Sequence, residues 1–381
     1  MAEAYILEAV RTAMGKRKGA LSNIRPDDLA GQCLNGLVDR AGVNPVEVED
    51  VVMGCVTQIG EQGLNIGRTS VLSAGWPVTV PGTTVNRMCA SSLQATNFAA
   101  QAIMAGTMDL AVGAGVENMT RVQMGGDAGG LSERLQDRFD LVGQGVSAEL
   151  IAEKYGLTRT QLDTMAVESH KRALNAIDKG YFEREIVPVT VPDPDGNPHV
   201  FELDQGPRRG SSLESVGGLR TVFKDDGVIT AATSSQISDG AAAILIGNKE
   251  KAAALGVKPR AKFRSMAVVG SDPTMMLLGP GPATKLALDK AGLTLSDIDL
   301  FEVNEAFASV VSAWQMDTEA SLDITNVNVF CHACFGDRGN GVGSNAVTRE
   351  LLAPYTGHAG NTGLGAGIVC LAKVPTSYWV R

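Results

Sequence analysis

A stretch of fifteen residues recurs in this chain, and the recurrence limits what it can fold into. VDRAGVNPVEVEDVV (38–52) lies on LDKAGLTLSDIDLFE (288–302) without gaps, at a constant offset of 250 residues. Asp39 matches Asp289, Arg40 Lys290, Ala41 Ala291, Gly42 Gly292, Val48 Ile298 and Val51 Phe301. In each copy a helical pattern stops at a glycine, a short loop follows, and a β-rich run begins. Identities at these demanding positions predict two halves of one design.

The surrounding pattern supplies the rest of that design. AYILEAV (4–10), DVVMGCV (50–56), GTTVNRM (82–88) and DLAVGAGVE (109–117) read as strands, the third of them buried. LAGQCLNGLVDRAG (29–42) and CASSLQATNFAAQAIMAG (89–106) read as helices between them. In the first, Leu29, Cys33, Leu37 and Ala41 share one face. Strands alternating with helices imply an α/β protein whose sheet is covered by helices. Residues 118–238 have another texture: glycine-rich turns, an amphipathic stretch over SAELIAEKYGL and TQLDTMAVESHKRALNAIDKG, then the polar loop VPDPDGNPHV. They are expected to form an insertion between a first half (1–117) and a second half (239–381) that resumes at DGAAAILIG.

Composition narrows the function. At 44% hydrophobic and 20% charged, with 44 glycines, the 381 residues suit a soluble, turn-rich α/β protein. The net charge of −9 argues against a nucleic-acid partner. No apolar run reaches the roughly 20 residues that span a bilayer, and MAEAYILEAVRTAMGKRKGALS lacks the order of a signal peptide. Six scattered cysteines (33, 55, 89, 331, 334, 370) favour a reducing compartment over a disulfide framework. A cytoplasmic protein is expected. Arg208, Arg209, Arg220 and Lys224 offer a local cation cluster for a phosphorylated ligand, or else a solvated loop.

Cys89 falls where a strand meets a helix. There the free N–H groups and the helix dipole favour a thiolate, and the small residues Ala90, Ser91 and Ser92 leave room for a substrate. The alternative is a packed core thiol. The segment VNRMCASSLQA resembles the nucleophile segment of the thiolases. So do AVRTAMGKRKGALS, GRTSVLSAGWPVTVPGTT, GAGVENMTR (113–121), AELIAEKYGLTRTQLD, GVITAATSSQISDGAAA (227–243) and FEVNEAFA (301–308), in order over residues 1–328.

This resemblance implies a fold: duplicated βαβαβαββ halves in a layered α/β/α/β/α sandwich, with an inserted loop domain that binds coenzyme A. It implies a homodimer or homotetramer, no permanently bound cofactor, and acyl-CoA and CoA as substrates. Cys89 would accept the acyl group and Asn304 would orient a water in an oxyanion hole; the alternative for Asn304 is a helix N-cap. Ser235 would contact the pantetheine arm and Arg220 would lie near the nucleotide. The loops MTRVQMGG and VGQGVSAELIAEKYG look closer to degradative 3-ketoacyl-CoA thiolases than to biosynthetic enzymes.

After TNVNV (325–329) the chain departs from the family pattern. No GHPxG loop and no CxGGG turn follow, and the 250-residue offset from Cys89 lands at Gly339, inside Gly336-Asp337-Arg338-Gly339-Asn340. His332 comes early for the missing histidine. His358, in GHAGNTG, comes late but has the more similar setting, and Cys370 lies three or four residues beyond the expected cysteine. His170 and His199 read as surface residues. Cys331-His-Ala-Cys334 has zinc or redox spacing but lacks a second ligand pair. A rearranged site, an altered tail on an ordinary thiolase, or an acyl-CoA-binding protein with poor turnover all fit this segment. Condensation of the ketoacyl-synthase kind is a further enzymatic alternative.

Overall fold

The computed structural model describes residues 3–193, 195–328, 359–360 and 366–373. The repeat is reproduced turn by turn. Helix Pro26–Ala41 ends at Gly42 (φ 67°) and helix Pro280–Ala291 at Gly292 (φ 66°), both left-handed. The Gly42 N–H donates to the Asp39 carbonyl at 3.2 Å, and the Gly292 N–H donates to that of Asp289 at 3.2 Å. Both are glycines because a Cβ would strain this conformation. Short 3-10 turns follow at Pro45–Glu47 and Leu295–Asp297, then strands Asp50–Gly54 and Phe301–Asn304. Each strand then takes a parallel neighbour: Val51 pairs with Gly82 in one half and Phe301 with Thr325 in the other.

The first-half sheet carries strand Leu110–Asn118 beside Asp50–Gly54, in parallel, and strand Ser238–Gly247 between Leu110–Asn118 and Tyr5–Thr12, antiparallel to both. The strand at which the second half was expected to resume therefore hydrogen-bonds within the first sheet. Its side chains alternate. Ala241, Ala243 and Leu245 join a core with helix Pro26–Ala41, while Ala242, Ile244 and Ile246 join one with helix Ser91–Ala105. Helix Ser91–Ala105 is buried almost all round, as a helix within a layered sandwich must be. Strand Ala261–Gly270 extends the sheet from Tyr5–Thr12 to Ala366–Lys373, and helix Pro280–Ala291 packs on these last two.

Strand Gly82–Val85, expected to be buried, stands instead at the sheet edge with half-exposed side chains. Residues 182–204 are anchored by Arg11, whose guanidinium lies 5.0 Å over the Phe182 ring. Its Nε donates to Glu185 at 2.7 Å, and its two Nη groups donate to Asp204 at 2.7 and 2.9 Å. Among the described residues no helix is long and apolar enough to cross a membrane, and no group of three metal-ligating side chains is found.

Candidate active site

Cys89 sits at the exit of a tight elbow. Strand Gly82–Val85 ends, Met88 adopts a left-handed φ of 49°, and helix Ser91–Ala105 begins two residues after the cysteine. An unbranched residue with φ > 0 costs about 1–2 kcal/mol, so other bonds must hold it. Ser91 supplies some: its Oγ accepts from the Arg87 N–H at 2.8 Å and donates to the Met88 carbonyl at 2.6 Å. The Ser91 N–H donates to the same carbonyl at 2.8 Å. Cys89 is buried and lies outside any disulfide.

Gly54 explains how the helix start comes so close to the sheet. A Cβ there would lie 2.3 Å from the Ser92 nitrogen and 2.4 Å from the Ser91 carbonyl carbon. In the repeat Gly54 corresponds to Asn304, which ends strand Phe301–Asn304 and pairs with Asn328. The Asn304 side chain is wholly buried, and neither its Nδ2 nor its Oδ1 has a hydrogen-bond partner among the described residues. A buried amide with both ends unmet is expensive unless a water or ligand answers it. Asn304 is not a helix N-cap: the next helix is Ala308–Thr318 and Phe307 precedes it.

Glu305 lies beside it, also buried. The Ser169 hydroxyl donates to its Oε2 at 2.8 Å, yet burial pushes its pKa up to about 8, against the opposing pull of Ser169 and Arg172. The sequence contains Glu305 within a recognisable motif, but its partner Ser169 comes from helix Arg159–Asp178, far away in sequence.

Ser235 is stitched to this segment. Its N–H donates to the Ala306 carbonyl at 2.9 Å, and the Ala308 N–H donates to that of Thr233 at 2.9 Å. Arg220 is exposed on the preceding loop and makes no hydrogen bond or ion pair among the described residues. That loop is tethered by Phe223, whose ring meets Phe307 edge-on at 5.8 Å and fills the space left by Gly145. Glu149 holds the loop's far end, accepting from the N–H groups of Val228 and Ile229 at 2.8 and 2.9 Å.

The four-cation cluster divides in two. Lys224 pairs with Glu153 and Asp226 at 4.0 and 3.7 Å. Arg208 and Arg209 instead line a cavity of about 480 Å³ along helix Arg159–Asp178, with Lys171 and Lys179, and Arg209 pairs there with Asp178. His170, expected at the surface, is buried against this cavity. Its Nδ1 accepts from the Arg208 N–H at 3.4 Å, and burial lowers its pKa. Its neighbours Lys171 and Arg172 suggest a solvated face, but the 208–211 loop covers it. His199 is exposed.

His358, His332, Cys331 and Cys334 lie outside the described residues. Cys370 falls on strand Ala366–Lys373, opposite Met266.

Comparison with known proteins gives concordant matches. Residues 4–250 match the family described as thiolase, N-terminal domain, and residues 257–334 that described as thiolase, C-terminal domain. The steroid 3-ketoacyl-CoA thiolase FadA6 of Mycobacterium tuberculosis is 44% identical over 341 residues, covering 86% of this chain and 82% of that protein. A 3-ketoacyl-CoA thiolase of Bacillus subtilis is 43% identical, and a beta-ketoadipyl-CoA thiolase of Acinetobacter baylyi 41%, each match covering 86% of both chains. The crystal structure of the Bacillus anthracis acetyl-CoA acetyltransferase superposes with a TM-score of 0.85 at 32% identity, over 98% of this chain and 99% of that one.

Proposed function

This chain belongs to the thiolase family, and from that premise we propose that it is an acyl-CoA acyltransferase with Cys89 as its nucleophile. In thiolysis the Cys89 sulfur adds to the 3-carbonyl carbon of a 3-ketoacyl-CoA. The C2–C3 bond then breaks, acetyl-CoA leaves after protonation at C2, and the acyl group stays on Cys89 as a thioester. The thiol of CoA next attacks that thioester and frees the cysteine. Run in reverse, the enzyme would condense two acyl-CoA molecules.

The observation that carries this reading is the elbow, which spends a left-handed Met88 to present a thiol at a helix start. Asn304, with both amide ends unmet among the described residues, is assigned to hold a water against a developing oxyanion. His358 is assigned the proton transfers. Ser235 is assigned the pantetheine arm, Arg220 the approach of the nucleotide, and the cavity beside Arg208 and Arg209 supports an anionic end to the ligand. The edge strand Gly82–Val85, with Leu64 94% and Val78 77% exposed nearby in sequence, supports a homodimer or homotetramer. Cytoplasmic fatty-acid degradation fits the acyl-CoA chemistry.

Incubation with acetoacetyl-CoA, acid quench and intact mass measurement test the reading. The expected result is an acetyl adduct that Cys89→Ala lacks and that added CoA removes. Absence of an adduct on the unaltered protein would sink it.

A further inference from the structure

We propose that Asn86 is the positioning residue for the Cys89 thiol, an inference that rests on Cys89 being the nucleophile. Asn86 follows directly on strand Gly82–Val85, and its side chain grips both sides of the elbow. Its Nδ2 donates to the Val56 carbonyl at 2.9 Å, and its Oδ1 accepts from the Met88 N–H at 2.8 Å. The second bond fixes the one residue of the turn whose backbone is left-handed. The first ties that turn to residues 55–57, which leave the end of strand Asp50–Gly54.

That second anchor is itself rigid. The Val56 N–H donates to Glu117 Oε2 at 2.9 Å, and Gln62 Nε2 donates to Glu117 Oε1 at 2.6 Å and to the Thr57 carbonyl at 2.9 Å. The Asn118 N–H donates to Gln62 Oε1 at 2.8 Å, and the Cys55 N–H to the Val85 carbonyl at 3.1 Å. A continuous set of bonds thus runs from the buried Glu117 through Val56 and Asn86 to Met88, the residue before the nucleophile. Ser91 closes the elbow from the helix side; Asn86 joins it by a side chain to the neighbouring strand end.

Asn86 is exposed, so replacing it removes two hydrogen bonds without opening the core. Asn86→Ala loses both bonds. Asn86→Asp keeps the acceptor for the Met88 N–H and loses the donor to Val56. Two rates are read on the full chain: acetylation of Cys89 by acetoacetyl-CoA, and alkylation of Cys89 by iodoacetamide, in which sulfur displaces iodide and the thiol proton is lost. A loosened elbow should slow acetylation by about 10- to 100-fold in Asn86→Ala. The KM for acetoacetyl-CoA should stay within about twofold, and Asn86→Asp should fall between the two. A purely structural loss would lower the melting temperature and leave the rate per folded molecule unchanged.

Wild-type rates in Asn86→Ala overturn the proposal. Should that variant not fold, wild-type rates in Asn86→Asp overturn the two-sided clasp. If the unaltered protein takes no acetyl group, the nucleophile reading fails; acetylation and iodoacetamide labelling that are both indifferent to Asn86 show instead that the clasp fails.

Discussion

Replacing Glu305 with glutamine should change how stability depends on pH, by an amount the site itself sets. Burial raises the Glu305 pKa from its ordinary 4.5 to about 8 in the folded protein. Between those values the folded chain holds a proton that the unfolded chain has released. Stability contributed by the neutral carboxyl is therefore complete below about pH 4.5 and is lost as pH rises towards 8. At 1.36 kcal/mol per pKa unit the full loss is about 5 kcal/mol, of which about 3 kcal/mol falls between pH 5.5 and 8. Glutamine is neutral throughout and can still accept from Ser169, so Glu305→Gln escapes this loss. With about 2.1 cal/mol/K of unfolding entropy per residue, 3 kcal/mol corresponds to about 4 °C for a chain of this length. Calorimetric melts of both proteins at pH 5.5 and 8 should show the variant's advantage growing by that amount. Other titrating groups cancel in the difference. Curves that stay parallel across the window would refute a neutral, desolvated Glu305.

Two further perturbations test the scaffold at Arg11 and behind Cys89. Arg11→Ala strips the shared cation from Glu185 and Asp204, both buried; urea denaturation should report a loss of about 3–5 kcal/mol. Gly54→Ala forces a methyl group into the backbone at Ser91 and Ser92. It should cost about 1–3 kcal/mol and slow Cys89 acetylation by about 100-fold, read by quenched intact mass.

The repeat was readable because helix-ending glycines and the strands after them leave strong marks: Gly42 and Gly292 are required by a left-handed backbone. Cys89 at a strand–helix junction was readable for a similar reason. The elbow's own conformation was not, since Met88 holds a position where glycine is the usual signal. Nor could the β-branched run at 82–88 reveal that its strand ends at Val85 and stands at an edge, because β-branched residues suit edge and central strands alike. His170 and Glu305 were misjudged or passed over on a single ground. Their burial comes from segments far away in sequence, the 208–211 loop and helix Arg159–Asp178, and local periodicity carries no trace of either.

Gly54 and Asn304 show what duplication allowed. The two halves offer the same slot at the end of the same strand, and pseudo-symmetry alone would fill both alike. In one half the side chain has to vanish so that the helix behind the thiol can close on the sheet. In the other it is an amide, with no partner at either end among the described residues. A homodimer built from the first repeat would carry two such cysteines and no such amide. Joining the halves in one chain frees each copy of the slot to diverge, and the function proposed above draws on that broken symmetry, with a thiol from one repeat and a polar grip from the other.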